Sequence, residues 1–238
     1  MEALVERAAR ESLSRICPKP RKVLLLPPDV SRAHSGAGWI TRDLYRFYSQ
    51  NADVYVMPTL GQHLPHTPEQ NRWMFGAIPA DRILVHDWKK DGNRLGTVPA
   101  DYVRRITGGR ADWDIPVKVN RRAVEENWDI IVNVGPVVPH EVLGFANHNK
   151  NYFIGLGGKE MICASHMAAA CYGIENNLGT LVTRPRDQDP RQAGDKGAAI
   201  RFQQDFQGVG AEGAGEEVSL TDSTGPWSQP IQPLRCQR

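Results

Sequence analysis

The chain has 238 residues, with 29 Lys and Arg against 27 Asp and Glu and a net charge of +2. This near balance, without any block of basic residues, argues against a dedicated nucleic-acid binder, and no apolar run is long enough for a membrane span. The four cysteines, Cys17, Cys163, Cys171 and Cys236, follow no CxxC or Cys/His spacing, which argues against a structural zinc site. The length allows one or two domains with a substantial core. The first twenty residues are charged throughout and lack an apolar signal core, so a soluble cytoplasmic protein is expected.

Residues 2–16 read as a helix ended by Pro18 and Pro20. Lys22 to Leu26 reads as a short buried strand that runs into Asp29-Val30-Ser31-Arg32. An Asp and an Arg three apart at a strand exit fit a grip on ribose or phosphate; they fit equally an Asx-turn with a solvated Arg beside it. His34 in the same loop reads as polar surface. A helix from about Ala37 to Gln50 carries Trp39, Ile40, Leu44, Phe47 and Tyr48 on its apolar side. Asp53 to Met57 is the second strand, and it exits into Gly61-Gln62-His63. Thr67-Pro68-Glu69-Gln70 has the composition of a capped helix start. His63 lies between strand end and helix start, a position suited to a catalytic group, whereas His66 beside the cap reads as structural or exposed.

Ile83 to His86 is expected to be a third strand, followed by a charged turn from Asp87 to Asn93. Pro116 to Asn120 reads as a further strand and Arg121 to Asn127 as a short helix. This rhythm predicts an α/β fold with a doubly wound, mostly parallel sheet and flanking helices.

The stretch 129–171 carries the most chemistry. Ile130 to Val134 is an apolar, β-branched run of the kind found in buried parallel strands. It ends at Gly135-Pro136, and His140, His148, Lys150 and His166 follow. A lone histidine near an apolar strand is more often structural. Three histidines and a lysine beyond the carboxyl end of one strand fit a ligand site better. Gly158 to Ala170 reads as a helix with His166 near its middle. Beyond about Arg184 the character changes. Residues 187–238 hold eight Gln and seven Gly but only nine Ile, Leu, Val, Phe, Trp or Met, so a disordered or irregular tail is expected.

These residues resemble the lactate racemase family, enzymes dependent on a nickel-pincer nucleotide, over roughly residues 20–185 and specifically in the N-terminal domain. Asp29-Val30-Ser31-Arg32 is similar to the family's Asp-x-Thr/Ser-Arg turn, which implies Asp29, Ser31 and Arg32 as cofactor-binding residues. Leu60 to His63 is similar to the Gly-x-His segment that carries one acid/base histidine. Pro139-His140 with Gly144-Phe145 is similar to the segment that carries the second. In that register Lys150 falls at the cofactor-attaching lysine and His166 at the nickel-binding histidine. The sequence departs from the family at Asn147-His148-Asn149-Lys150, where the family has Gly-Gly-Arg-Lys. A second register, with the glycine pair at Gly157-Gly158 and Lys159-Glu160 after it, puts Glu160 at the attachment position.

The resemblance implies three segments: an N-terminal helix over 1–20, the family-like α/β domain over 21–185, and an irregular tail over 186–238 in place of the family's C-terminal domain. An out-of-frame origin is one expectation for that tail. The implied function is isomerisation: a racemase or epimerase of a lactate-like 2-hydroxy acid. In the family a hydride passes from the substrate carbon to the nickel-pincer nucleotide while His63 and His140 act as the two acid/bases. Imidazole suits nickel, which gives His166 its implied role. The implied partners are a small 2-hydroxy acid and the enzymes that make the cofactor, with no nucleic acid and no membrane. Two alternatives stay open. One is a truncated, non-catalytic remnant that binds a nucleotide or a partner protein. The other is a divalent-metal hydrolase that uses His63, His140 and His166 as a three-imidazole zinc site.

Overall fold

The computed structural model describes residues 2–13, 17–147, 149–179 and 217–220. Strand β1, Lys22–Leu26, lies at the centre of a parallel sheet. Strand β2, Asp53–Val56, pairs on one side of it and β5, Ile130–Val134, on the other. Their apolar runs are buried because the sheet is covered on both faces. Val23 and Leu25 point into one core with Ile130, Val132 and Val134, and Leu24 and Leu26 point into a second core with Ile131.

Three helices cover the first core. They are α1 (Glu2–Ala8, continued by a π-helical turn over Ala9–Leu13), α2 (Ala37–Tyr48) and α3 (Pro68–Phe75). Val5, Ala9, Leu13 and Cys17 are buried among Val23, Leu25 and Leu44, so the N-terminal helix shares its core with the sheet. Helix α3 starts with the capping box expected from the sequence. Thr67 Oγ1 accepts from the Gln70 N–H at 3.2 Å, and Gln70 Oε1 accepts from the Thr67 N–H at 2.8 Å.

The second core is closed by an antiparallel ribbon of β3 (Gly92–Val98) and β4 (Ile115–Asn120), joined through α4 (Ala100–Ile106). Short helix α5, Arg121–Glu125, follows and leads back to β5. The sequence reading differs from the structure here. Ile83 to His86 does not form a strand; only Ile83 bridges Val56, with the Leu84 N–H donating to the Val56 carbonyl at 2.7 Å. The chain then leaves the sheet because the Asp91 carboxylate accepts from the Asp87 N–H and draws residues 87–91 into a turn. The ribbon strand that begins at Gly92 occupies the end of the segment expected to be a charged turn.

After β5 come two residue pairs in a small antiparallel ladder, β6 (Pro139–His140) and β7 (Gly144–Phe145). Helix α6, Asn149–Phe153, was not expected from the sequence. Helix α7, Lys159–Tyr172, matches the expected one, and α8 is Ile174–Asn177. Within the tail expected to be irregular, Glu217–Leu220 forms β8, parallel to β5; the other residues beyond 179 lie outside the described part. No described helix is long and apolar enough to cross a membrane.

Between α6 and α7, Gly155 and Gly157 let two backbones touch. A Cβ on Gly155 would stand 2.3 Å from the Asn151 carbonyl oxygen and 2.5 Å from Thr59 Cβ; one on Gly157 would stand 2.3 Å from the Phe153 carbonyl oxygen. The obstacles are backbone and packed core, so packing explains these glycines and a ligand is not needed. Gly155→Ala and Gly157→Ala should each destabilise the chain by about 2–4 kcal/mol, within the range of strained or overpacked substitutions. Urea unfolding checks this: a lower midpoint with unchanged slope is expected.

Candidate functional site at the carboxyl edge of the sheet

The exits of β1, β2 and β5 lie side by side because the three strands are parallel, and open α/β sheets bind ligands at this edge. Backbone and side-chain bonds tie the exit loops together. The Thr59 N–H donates to the Pro27 carbonyl at 2.8 Å, the Gly61 N–H to the Gly155 carbonyl at 2.8 Å, and the Asn147 Nδ2 to the Gly135 carbonyl at 3.0 Å. His66 Nε2 accepts from the Val30 N–H at 2.8 Å, so its Nδ1 carries the proton and faces Asn71 Oδ1 at 3.0 Å. His66 therefore pins the loop after β2 to the loop after β1.

Asp29 is 2% exposed. Its Oδ1 accepts from the Ser31 N–H at 3.1 Å and the Ser31 hydroxyl at 2.5 Å, and Arg32 Nη1 lies 3.5 Å away. Its Oδ2 accepts from His63 Nδ1. The Asx-turn weighed in the sequence reading is therefore present, and the carboxylate also reaches a histidine 34 residues away. A carboxylate has about four acceptor sites, and here three donors end on Oδ1 and one on Oδ2. Burial would push this carboxyl up, but bonds from Ser31 and His63 and the charges of His63 and Arg32 outweigh it and hold it below its ordinary value. Nδ1 of His63 is directed at Asp29, so in the neutral ring Nε2 is the proton acceptor.

His140 is in the opposite tautomeric setting. Its Nδ1 accepts from the Val142 N–H at 3.1 Å, so the neutral ring carries its proton on Nε2. Burial, then the nearby charge of Lys150, pulls His140 down to about 4, with His166 and Arg32 adding to the effect and Glu141 opposing it. The Glu141 carboxylate lies 3.8 Å from His140 Nδ1. The two histidines implied as acid/bases thus differ in setting: His63 is exposed and His140 half-buried.

Lys150 sits on α6. Burial, then Arg32, pulls its amine down to about 8, with Asp29 and Glu141 opposing. His166 on α7 is half-buried and also lowered, mainly by burial, and it senses Glu141 and Lys150. Arg32 joins the two sides, since it bonds Asp29 and Ser31 and acts electrostatically on Lys150 and His140. A cleft of about 270 Å³ lies here, lined by Arg32, Lys150, Ser35, Thr59, Pro136 and Val138 among others. The rings of His63, His140 and His166 belong to the charge cluster around this cleft without lining it. His148 lies outside the described residues. In the second register Lys159 and Glu160 lie elsewhere: Lys159 N–H donates to the Trp88 carbonyl, and Glu160 pairs with Lys118 at 3.0 Å.

Glu141 and Asn147 were not picked out by the sequence reading. Glu141 has no signal beyond standing next to His140. Asn147 occupies a left-handed conformation, φ 66°, which a family glycine would take freely and which Asn tolerates among L-residues. Its amide bonds Gly135 and accepts from Asn151 Nδ2 at 2.8 Å, fixing the start of the helix that carries Lys150.

Among the described residues, no three His, Cys, Asp or Glu side chains are grouped closely enough to hold a metal ion. The three-imidazole zinc site is therefore not assembled from His63, His140 and His166. A pincer nucleotide would make a different demand, because its own donors would hold the nickel and the chain would add one imidazole. The donor set fits that demand: an amine and a guanidinium share a cleft, and an imidazole is within electrostatic reach of the amine.

The buried and half-buried imidazoles also set how stability responds to pH. His66, His86, His140 and His166 all titrate lower in the folded chain than in the unfolded one, chiefly through burial. Between the two values the unfolded chain binds more protons. Their contribution is therefore complete above about pH 6.5 and is lost as pH falls below it. Calorimetry from pH 7 to pH 5 should show a falling Tm.

The sequence model of the lactate racemase N-terminal domain matches residues 1–177, and the chain belongs to that family. The match begins with the N-terminal helix. A lactate racemase from Thermoanaerobacterium thermosaccharolyticum is 25% identical over 151 residues, covering 62% of this chain and 32% of that protein. In fold, the chain is similar to a crystallised protein from Thermotoga maritima with a TM-score of 0.72 at 21% identity, covering 99% of this chain and 54% of the other. It is also similar to the lactate racemase apoprotein of T. thermosaccharolyticum with a TM-score of 0.62 at 16% identity, covering 98% and 51%. The chain thus spans about a third of the curated relative and half of each solved chain.

Proposed function

We propose that this chain holds a nickel-pincer nucleotide and serves a racemase or epimerase acting on a small, lactate-like 2-hydroxy acid. The observation that carries the proposal is the single charge cluster formed by Asp29, Arg32, His63, His140, Lys150 and His166, drawn from separate strand exits and helices. Lys150 tethers the cofactor, His166 supplies the imidazole to its nickel, and Arg32 offers a cation to a phosphate or carboxylate. The bound cofactor supplies the acceptor for the hydride that leaves the substrate carbon. His63 Nε2, with Nδ1 held by Asp29, takes the hydroxyl proton from one hand of the substrate. His140 faces the other hand and carries its proton on Nε2 at rest.

Co-expression with the cofactor-making enzymes, then incubation with single enantiomers of lactate and related 2-hydroxy acids and chiral chromatography, tests this. Appearance of the opposite enantiomer is expected. Cofactor-loaded protein that turns over none of them would leave only the binding remnant.

A further inference from the structure

We propose that Arg32 and Lys150 also form a covalent site for a small 2-oxo acid in the chain without cofactor: the lysine amine condenses with the keto carbon and the guanidinium takes the carboxylate. Both side chains line the same cleft of about 270 Å³, whose wall is completed by Pro28, Pro136 and Val138. Lys150 is half-buried, and burial together with the Arg32 charge lowers its amine, the setting that activates lysines for attack on carbonyls. With its pKa at about 8, about a tenth of the amine is unprotonated at neutral pH, against roughly one in 2,500 for an ordinary lysine. The bonds from Arg32 to Asp29 and Ser31 both run through Nη1, so Nη2 and Nε can still donate to a carboxylate. Asp29 makes its hydrogen bonds with Ser31, Arg32 and His63, and its charge on the Lys150 amine is outweighed by burial and by Arg32.

The step balances without an oxidant or reductant. The amine nitrogen bonds to the keto carbon, and the keto oxygen leaves as water with the two amine hydrogens. The product is an imine at the oxidation level of the oxo acid. The inference goes beyond the racemase reading and does not rest on it, because it concerns the amine before any cofactor is attached.

The test uses the full chain produced without cofactor-making enzymes, incubated with pyruvate and reduced with sodium borohydride, then digested and mapped by mass. A reduced adduct on Lys150, at least about tenfold above that on any other lysine, is expected from the difference in neutral fraction. It should vanish in Lys150→Arg and fall several-fold in Arg32→Gln, with circular dichroism confirming that both variants fold. No adduct, or an adduct spread evenly over the lysines, overturns the proposal. Labelling of Lys150 at full yield in Arg32→Gln overturns the role of the guanidinium. The wild-type map alone decides the site if a variant fails to fold. Cofactor loading is read separately as nickel content, so failure here leaves the racemase reading standing.

Discussion

His63→Ala and His140→Ala are each expected to lower racemisation by about 10²–10⁴-fold, the range for loss of a positioned acid or base, while nickel content stays at the wild-type level. Neither ring lines the cleft that holds Lys150 and Arg32, so removing either leaves that cleft intact. Because two mirror-image substrates are equal in free energy, kcat/KM must fall by the same factor from either enantiomer in each variant. Initial rates measured from each pure enantiomer check this, and unchanged turnover in either variant would remove its acid/base role.

Asp29→Asn is expected to lower turnover about a hundredfold or more by releasing His63 from its tautomer. It should also destabilise the fold by about 1–3 kcal/mol, because buried donors that now end on one carboxylate lose their acceptor. Unlike an exposed ion pair, this carboxylate is almost fully buried, so solvent screening does not remove the effect. The pH dependence gives a second readout. The folded carboxyl titrates below its ordinary value, so its contribution is present above the unfolded value of about 3.9 and is lost as pH falls through the folded one. Wild-type stability should drop across that acid range, and the Asn variant should drop less. Matching acid profiles would show that Asp29 holds nothing in the folded chain.

How far the sequence disclosed all this depends on the residue. β1 and β5 were legible because Val23 to Leu26 and Ile130 to Val132 are short unbroken apolar runs ended by turn residues, which suits a strand buried on both faces. The start of α3 was legible because Thr67, Pro68 and Gln70 each answer a stated backbone need. The ribbon strand β3, Gly-Asn-Arg-Leu-Gly-Thr-Val, has no alternation of apolar and polar residues, and it forms because β4 offers it a partner distant in sequence. The reverse holds at Ile83 to His86, where a strand-like run is led away by the turn at Asp87 to Asp91.

At the site, the histidines, Lys150 and the turn at Asp29 were visible as chemistry placed at strand exits. The bond from His63 to Asp29 was not, because it joins two loops that only the parallel pairing of β1 and β2 brings together. The same is true of the tautomers, which are set by single hydrogen bonds. Asn147 stands where the resemblance implies a glycine, and it takes a left-handed conformation that glycine adopts freely and Asn tolerates.

The most direct test of the account is the intact mass of the chain after co-expression with cofactor-making enzymes, with the modified peptide mapped and nickel measured on the same sample. One covalent adduct on Lys150 with one nickel per chain is the predicted result. A chain of unmodified mass under those conditions, or an adduct on Lys159 or any other residue, would contradict it.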